Sequence, residues 1–347
     1  MRPVAAVCVT CARVAAVLAA LTCDASAAPV FCVGSEGGAA TSARLYAGDS
    51  LVVERSYHAF GPAFSGGARV ACGDITGDRQ ADVVVAAGPG GMPQVRAFDG
   101  VSGAEIANFL AFASALTGGV HVAVGDVDGD GRGDYVLGAG QSAQVRVLSG
   151  RDQRELHNFF AYAPGFTGGV RVAAGDVDGD GHADIVTGAG PGGGPEIKVF
   201  DGATGTQVAD FFAYLPGFSG GVFVAAGDYD GDGRADLITG ADADAGAGPH
   251  VKVFSGATGG EMASFFAFAA SFRGGVRVAA GDVDGNGSQD LVMGTGSGTS
   301  AVVRVWTMPG LAGLHEFLPF GAAFAGGVYV GASVPVEVIF TDRLASQ

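Results

Sequence analysis

Aspartate residues recur at a fixed spacing in four segments of the chain, and this spacing is typical of cation-binding loops. Each segment reads D-x-D-G-(D/N)-G-x-x-D, with oxygen-bearing side chains at positions 1, 3, 5 and 9. Alternate side chains can converge on one hard cation, the glycine at position 6 permits a sharp turn, and position 7 offers its backbone carbonyl. The predicted side-chain ligands are Asp126, Asp128, Asp130, Asp134, Asp176, Asp178, Asp180, Asp184, Asp228, Asp230, Asp232, Asp236, Asp282, Asp284, Asn286 and Asp290. The predicted carbonyl ligands are those of Arg132, His182, Arg234 and Ser288.

Calcium suits this donor set better than magnesium, because magnesium retains several waters in a strict octahedral geometry. An EF-hand would place glutamate at position 12, where these segments have Leu, Thr or Met, so the aspartate at position 9 is expected to close the site. A single Asp-Gly turn between strands would explain one such segment but not four. Because protein groups fill every position, the sequence predicts structural calcium rather than a catalytic metal.

A fifth copy of the segment departs from the pattern. It has threonine at position 3 and arginine in place of the glycine at position 6. We therefore expect weak or absent metal binding by its three aspartates, Asp74, Asp78 and Asp82.

These segments belong to a longer repeat whose length indicates the fold. The phrase G-G-x-x-V-A-x-G-D, with small variations, ends at residues 74, 126, 176, 228 and 282, which is a period of 50 to 54 residues, and a degenerate sixth copy has Val334 at the aspartate position. Each unit contains four strand-like runs, a to d, separated by turn signals. A period near 50 residues fits one four-stranded propeller blade. The sequence predicts an all-β fold, a six-bladed β-propeller of four-stranded blades.

The two ends of the chain are expected to complete one shared blade. The N-terminal part reads as strands c and d and the C-terminal part as strands a and b, so joining these half-blades leaves no free sheet edge. Residues 30–33 or residues 336–339 could supply strand b. Because each blade buries its faces only against its neighbours, residues 28–347 are predicted to form a single domain.

Residues 1–27 have the pattern of a secretory signal peptide. Two arginines flank a short positive region, an apolar run of about ten residues follows, and Ala25-Ser26-Ala27 is an A-x-A cleavage site. The run is too short for a membrane span, which needs roughly 20 residues. We expect the mature chain to lack a transmembrane segment and to be secreted, on the cell surface or periplasmic. Cleavage would leave Cys32 and Cys72, which are compatible with one disulfide without proving it.

Composition limits the partners. The chain has 35 Asp and Glu against 19 Lys and Arg, a formal net charge of -16, which disfavours nucleic acid and anionic membranes. Hydrophobic residues make up 48% of the chain and charged residues only 16%, which indicates a buried core rather than disorder.

A second set of residues has the position expected of a ligand site. One residue near the start of strand a varies between repeats, and strand a is innermost in a propeller, so these side chains are expected to ring the central channel. They could hold an anionic or sugar ligand, and they are Arg69, His121, Arg171, Phe223, Arg277 and Tyr329.

Two other recurring sets are expected to be architectural. A basic residue on strand c should pack its stem on the sheet and pair with the acidic loops; it is Arg44, Arg96, Arg146, Lys198, Lys252 or Arg304. Paired phenylalanines on strand d should pack between blades, namely residues 159–160, 211–212 and 265–266. The glycine-rich b–c loops should be tight turns at the rim opposite the aspartate loops.

The phrases F-x-G-G at residues 166–169, G-A-G-P at 188–191 and the interposed aspartate loop resemble FG-GAP/VCBS repeats, the integrin alpha-subunit N-terminal type of β-propeller. The resemblance covers roughly residues 30–342. It implies structural calcium in the loops and roles in extracellular adhesion or in protein or sugar recognition, with occasional enzymes. Integrin propellers have seven blades, whereas this sequence predicts six.

The sequence therefore predicts a secreted, calcium-binding, non-enzymatic adhesion or recognition module for an extracellular protein or glycan. A protein partner would be expected to bind the rim formed by the glycine-rich b–c loops. A glycan would be expected to bind equivalent pockets with exposed aromatic residues. A polysaccharide-acting enzyme that uses the channel, and a purely structural envelope protein, are the alternatives. The G-x-S-x-G match at residues 217–221 and the G-x-G-x-x-G match at 188–193 both lack the helix that those motifs require.

Overall fold

The computed structural model describes residues 29–37, 41–243 and 248–333. These residues form 24 β-strands, arranged as six four-stranded antiparallel sheets, and no helix is found among them. The predicted all-β propeller with six four-stranded blades is confirmed. No helix that could span a membrane occurs in this part of the chain. The predicted signal peptide lies outside the described residues.

Five blades are each built from four consecutive strands, which follow the order a to d along the chain. Blade 1 contains β4 (Ala68–Gly73), β5 (Asp82–Ala87), β6 (Gln94–Phe98) and β7 (Glu105–Leu110). Blade 2 contains β8 (Val120–Gly125), β9 (Asp134–Ala139), β10 (Gln144–Leu148) and β11 (Glu155–Phe160). Blade 3 contains β12 (Val170–Gly175), β13 (Asp184–Ala189), β14 (Glu196–Phe200) and β15 (Gln207–Phe212). Blade 4 contains β16 (Val222–Gly227), β17 (Asp236–Ala241), β18 (His250–Phe254) and β19 (Glu261–Phe266), and blade 5 contains β20 (Val276–Gly281), β21 (Asp290–Thr295), β22 (Val303–Thr307) and β23 (Gly313–Phe317).

The sixth, closing blade joins the two ends of the chain. Its strand order is β24 (Val328–Ala332), β1 (Val30–Ser35), β2 (Ala43–Ala47) and β3 (Val53–Tyr57). The predicted closure by the two ends of the chain is confirmed, and of the two candidates for strand b it is residues 30–33 that supply it, so the N-terminal segment contributes three strands and the C-terminal segment one. β1 is buried at every position and pairs on both edges, which suits an apolar run in the second strand of a blade. Residues 334 and 336–339 lie outside the described residues.

The core lies between neighbouring blades. Strand a of each blade packs against strand a of the next, so β4, β8, β12, β16, β20 and β24 surround the central channel. Strand b is buried along its whole length, whereas strand d alternates between half-buried and exposed residues. Strand b is thus the most buried strand of a blade, and strand a, which carries the channel side chains, is held between strand b of its own blade and strand a of the neighbouring blades.

The paired phenylalanines on strand d separate into two sets. The first of each pair packs between blades: Phe159 contacts Phe200 at 4.4 Å between ring centroids, and Phe211 contacts Phe254 edge-on at 5.0 Å. The second of each pair is exposed, because adjacent residues of a strand point to opposite faces and strand d is outermost. The prediction that both residues pack in the core is wrong for Phe160, Phe212 and Phe266, which are 51%, 55% and 48% exposed.

The basic residues of strand c join blades together. Arg146, for example, pairs with Glu155 on strand d at 2.7 Å and donates a hydrogen bond to the carbonyl of Ala111 in the preceding blade. The architectural role is confirmed, but the partner carboxylates lie on strands c and d rather than in the aspartate loops. The other ion pairs are Arg96–Glu105, Lys198–Asp210, Lys198–Glu196, Lys252–Glu261 and Arg304–Glu316, and the other carbonyl acceptors are those of Ala59, Ala267 and Pro319, the last bound by Arg44.

Glycine in the b–c loops permits close approach of two backbone segments. A Cβ atom added to Gly190 would lie 1.8 Å from the carbonyl oxygen of Gly168, and one added to Gly88 would lie 1.9 Å from that of Gly66. The b–c loop is therefore packed directly on the F-x-G-G segment of its own blade. The expected structural role of these glycines is confirmed.

Candidate metal centres and channel mouth

Each aspartate loop lies between strands a and b and wraps around its first carboxylate. In blade 3, the carboxylate of Asp176 accepts hydrogen bonds from the backbone N–H groups of Gly179 at 2.7 Å, Asp180 at 3.1 Å and Gly181 at 2.9 Å. Gly181 has a positive φ of 92°, which a glycine adopts without strain. The loop thus satisfies three backbone donors with one side chain.

The aspartate at position 9 holds the loop against the rest of the blade. One oxygen of the buried Asp184 accepts the N–H of Val177 at 2.9 Å, and the other accepts the N–H of Gly202 in the c–d turn at 2.9 Å. Burial raises the pKa of Asp184 to about 6, and it raises that of Asp134 and Asp290 to the same value. These carboxylates carry their charge at a desolvation cost that a bound cation would offset.

The structure brings three carboxylates together in each of the four predicted loops. Their oxygens lie within 4.8 Å of one another, and they come from positions 1, 3 and 9. An all-oxygen, anionic set of this kind fits a hard divalent cation. The groups are Asp126, Asp128 and Asp134; Asp176, Asp178 and Asp184; Asp228, Asp230 and Asp236; and Asp282, Asp284 and Asp290.

The residue at position 5 makes contacts of its own within the loop. The carboxylate of Asp180 accepts the backbone N–H of His182 at 2.8 Å and groups with Asp178 and Asp201 rather than with positions 1 and 9. Asp130, Asp232 and Asn286 make the same hydrogen bond to the N–H of their position-7 residues, Arg132, Arg234 and Ser288. Coordination by position 5 and by the position-7 carbonyls stays a prediction.

The degenerate loop of blade 1 keeps the same conformation without the acidic triad. Asp74 accepts backbone N–H groups of three loop residues, and Asp82 accepts those of Ile75 and Gly100. Arg79 replaces the glycine and takes its left-handed conformation, with φ of 66°. Within the described residues, Asp74, Asp78 and Asp82 form no group of converging carboxylates. Backbone hydrogen bonds are therefore enough to shape the loop.

The loop of blade 2 has cationic neighbours from its own c–d turn. Arg154 lies 3.3 Å from a carboxylate oxygen of Asp128, and Arg151 lies 4.0 Å from one of Asp130. In blade 3 the corresponding turn instead supplies a further carboxylate, Asp201. The four loops therefore differ in the charge that surrounds them.

The six predicted channel residues meet at the opposite end of the molecule. They line a cavity of about 520 Å³, the channel mouth, together with residues of the b–c and d–a loops. Five of the six are at least nine-tenths buried, and Tyr329 is half-buried. Arginines from alternate blades, Arg69, Arg171 and Arg277, are separated by His121, Phe223 and Tyr329.

Two carboxylates that the sequence analysis missed also line the channel mouth. Asp242 in the b–c region of blade 4 pairs with Arg171 at 2.6 Å, and Glu36 at the end of β1 pairs with Arg277 at 2.6 Å. Asp242 occupies a position where the other repeats have glycine. This difference from the repeat pattern could have identified it from the sequence. Nothing in the repeat pattern singles out Glu36, because its position depends on how the ring closes.

A comparison with protein-family models agrees with the propeller fold and with the aspartate loops. The model for the FG-GAP-like repeat matches the chain twice, over residues 126–187 and 176–239. The chain is a six-bladed β-propeller that contains FG-GAP-like repeats. The matched segments contain the complete aspartate loops of blades 2, 3 and 4.

The fold of this FG-GAP propeller recurs in solved structures. A protein of unknown function from Bacteroides caccae superposes with a TM-score of 0.54 at 10% sequence identity, covering 88% of this chain and 98% of that one. At this identity the likeness shows the shared fold alone. No curated protein sequence matches the FG-GAP propeller.

The exposed phenylalanines of the FG-GAP propeller lie at one end of the molecule. Phe160, Phe212 and Phe266 pair in register with Gln144, Glu196 and His250, the first residues of strand c, next to the b–c loops. They therefore lie on the rim that also surrounds the channel mouth, which we call the loop rim, and the aspartate loops lie at the other rim. Leu110 takes the same position in blade 1 and is 41% exposed.

Proposed function

We propose that this FG-GAP propeller is a secreted, calcium-binding, non-enzymatic recognition module whose loop rim binds an extracellular glycan. The observation that carries the proposal is the exposure of Phe160, Phe212 and Phe266 at equivalent positions of three successive blades. Exposed apolar surface on a rim is suited to binding a partner, and the recurrence of one such ring in each of three blades is what supports a shared binding surface here. An extracellular protein partner is the other ligand class that the rim could serve.

Polar groups beside each phenylalanine favour a sugar over an apolar protein surface. Next to Phe160, the Gln144 side-chain amide donates to the Asn158 side-chain oxygen at 2.9 Å, and next to Phe266, His250 and Ser264 interact at 2.8 Å. A sugar ring presents an apolar C–H face that stacks on an aromatic ring, and hydroxyl groups around its edge that form hydrogen bonds. The phenylalanine and its polar neighbours match those two surfaces.

Three equivalent positions would also allow one glycan chain to be bound at several points. Blades 2, 3 and 4 are consecutive, so their phenylalanines lie along one arc of the loop rim. Weak binding at each position would then combine into tighter binding of a polymer with repeating units.

Calcium and secretion complete the proposal. Four carboxylate triads fit calcium, and the cation would stabilise the rim opposite to the binding surface. Secretion is supported by the signal-peptide pattern at residues 1–27 and by the disulfide between Cys32 and Cys72, since disulfides persist in oxidising compartments. Secreted, cell-surface and periplasmic locations all agree with these features.

A binding role for the channel mouth, rather than catalysis, is part of the proposal. The two carboxylates there, Asp242 and Glu36, are each held in an ion pair with an arginine. Burial, followed by the charges of three arginines, lowers the pKa of His121 well below its ordinary value. These ion pairs and the neutral imidazole suit binding of a charged ligand. No specific observation favours a polysaccharide-acting enzyme.

The experiment is a glycan and matrix-protein array probed with the mature chain in calcium and in chelator, with substrate breakdown measured in parallel. We expect a polysaccharide to be retained without breakdown. The variant with Phe160, Phe212 and Phe266 all changed to Ser should lose at least tenfold in affinity. The control changes the equally exposed Val52, Val101 and Val208 to Ser and should bind as the wild type. Retention by the triple phenylalanine variant, binding to proteins alone, or breakdown of the glycan would each contradict the proposal.

A further inference from the structure

Among the described residues, the channel mouth contains more buried positive charge than negative charge. Three guanidinium groups line it, from Arg69, Arg171 and Arg277, and the described residues contribute two carboxylates, Asp242 and Glu36. Both carboxylates already form ion pairs. Asp242 lies 2.6 Å from Arg171 and 3.8 Å from Arg277, and Glu36 lies 2.6 Å from Arg277. One guanidinium is therefore left without a counterion in this part of the chain.

Arg69 is that guanidinium. It is 8% exposed, and its Nε and Nη1 atoms are buried with no hydrogen-bond acceptor among the described residues. Its Cζ atom lies 5.6 Å from the centre of the Tyr329 ring, which attracts a cation but does not neutralise it. A buried charge without a partner is costly, so an anionic ligand that paired with Arg69 would remove that cost.

The other groups of the ring agree with an excess of positive charge. His121 cannot supply a counter-charge, because an imidazole is either neutral or cationic, and burial followed by the charges of the three arginines lowers its pKa. Phe223 and Tyr329 cannot supply one either, and both already lie against arginines, with Arg171 at 5.0 Å and Arg277 at 4.8 Å from the Phe223 ring centre. These contacts, together with the ion pairs to Asp242 and Glu36, position Arg171 and Arg277 at the channel mouth.

We propose that the channel mouth is a binding site for a small organic carboxylate, with Arg69 as its counterion. Three guanidinium groups and two carboxylates leave one net positive charge, which a ligand with a single negative charge would neutralise. A carboxylate also matches the planar arrangement of N–H donors on an arginine. The cavity of about 520 Å³ has the size of a small-ligand pocket and leaves room for a body the size of one sugar ring beside the aromatic residues. This site is separate from the exposed phenylalanines of the loop rim and does not depend on their function.

The test is calorimetric titration of the calcium-loaded, disulfide-intact chain with acetate, galacturonate and galactose. Galacturonate and galactose differ chiefly in one carboxylate, so we expect galacturonate to bind at least tenfold more tightly, with acetate competing for the same site. Arg69→Met should abolish this preference. Arg273→Met removes an exposed arginine from the same rim and serves as the control, which should bind like the wild type.

Thermal unfolding separates a ligand site from a structural role of Arg69. Removal of an uncompensated buried charge should leave the melting temperature of Arg69→Met equal to or above that of the wild type, whereas loss of a structural contact would lower it. If Arg69→Met does not fold, Arg69→Lys keeps the charge without the fork and should bind galacturonate less tightly than the wild type.

Three results would overturn the proposal: equal affinity for galacturonate and galactose, no binding of either carboxylate, or undiminished binding by the Arg69 variants. The variant with serine at residues 160, 212 and 266 should bind galacturonate normally. Failure of this site and failure of glycan recognition at the rim are therefore distinguishable.

Discussion

Cys32 of β1 and Cys72 of β4 form a disulfide between the closing blade and blade 1, with their Cα atoms 6.3 Å apart. Cys32 also lies opposite Gly331 of β24 in the ladder that closes the ring. A Cβ atom added to Gly331 would lie 2.9 Å from the sulfur of Cys32, so a small residue is needed there. The disulfide thus anchors the N-terminal strand on which the last strand of the ring docks.

We expect Cys72→Ser to lower the free energy of unfolding. The bond spans 40 residues, and a cross-link of that length typically contributes about 2–4 kcal/mol. Denaturant unfolding with and without dithiothreitol measures the loss. The reductant should destabilise the wild type and leave Cys72→Ser unchanged; equal behaviour of the two proteins would contradict the prediction.

Calcium is expected to raise the melting temperature, and a chelator to lower it, because a ligand that binds only the folded state stabilises it. Asp178→Asn removes one carboxylate from the triad of blade 3 and should reduce the response to calcium. Asp78→Asn, in the loop without a triad, is the matched control and should keep the full response. A melting temperature that is the same in calcium and in chelator would exclude structural calcium.

Gly190→Ala should destabilise the fold by about 1–3 kcal/mol, the usual range for overpacking. Its Cβ atom would lie 1.8 Å from the carbonyl oxygen of Gly168, and neither backbone segment can move without opening the blade. Gly217→Ala is the control, because a Cβ atom there has no neighbour within 4 Å. Denaturant unfolding should place Gly217→Ala at or slightly above the wild type. Equal stability of the two variants would show that the loops do not pack as described.

Adjacent phenylalanines on β15 should respond oppositely to truncation. Phe211→Ala removes a ring packed on Phe254 and should cost about 2 kcal/mol or more, somewhat less than a fully buried phenylalanine. Phe212→Ala removes an exposed ring and should change stability by less than about 0.5 kcal/mol. Urea unfolding of the two variants is the measurement. A large loss for Phe212→Ala would mean that its ring is part of the core.

His121 should make the fold less stable as the pH falls below about 6.5. Its pKa in the folded state is well below the ordinary value of 6.5, through burial and then the charges of Arg69, Arg171 and Arg277. As the pH falls, His121 is therefore protonated in the unfolded chain but stays neutral in the folded chain. The free energy of unfolding decreases by up to about 1.4 kcal/mol for each pH unit below 6.5.

The measurement is the difference in unfolding free energy between the wild type and His121→Gln at pH 7.5, 6.5 and 5.5 in saturating calcium. Groups that titrate alike in the two proteins cancel in that difference, so it isolates the contribution of His121. The wild type should lose stability relative to the variant as the pH falls. A constant difference would show that His121 is able to ionise in place.

Much of the fold could be predicted because repetition makes local patterns unambiguous. One D-x-D-G-D-G-x-x-D segment has several explanations, but recurrence every 50 to 54 residues requires units that stack on one another. The same recurrence placed Arg69, His121 and Arg171 at one level of strand a, where the structure finds them around the channel mouth.

The repeat pattern does not predict the structure of segments whose sequence differs from it. The closing blade has no complete repeat of its own, so the choice of Val30–Ser35 as its second strand depends on long-range pairing with β24 and β2. The exposure of Phe212 likewise depends on strand d having no further strand outside it. Neither fact is a property of the local sequence.

By itself, the sequence determined the number of blades, the position of the aspartate loops and the set of side chains that face the channel, because these follow from period and strand alternation. Only the tertiary structure decided that Cys32 meets Cys72, that Glu36 and Asp242 neutralise two arginines, and that Arg69 has no counterion among the described residues. Charge balance and disulfide pairing depend on distances between residues far apart in the chain, and ring closure sets those distances.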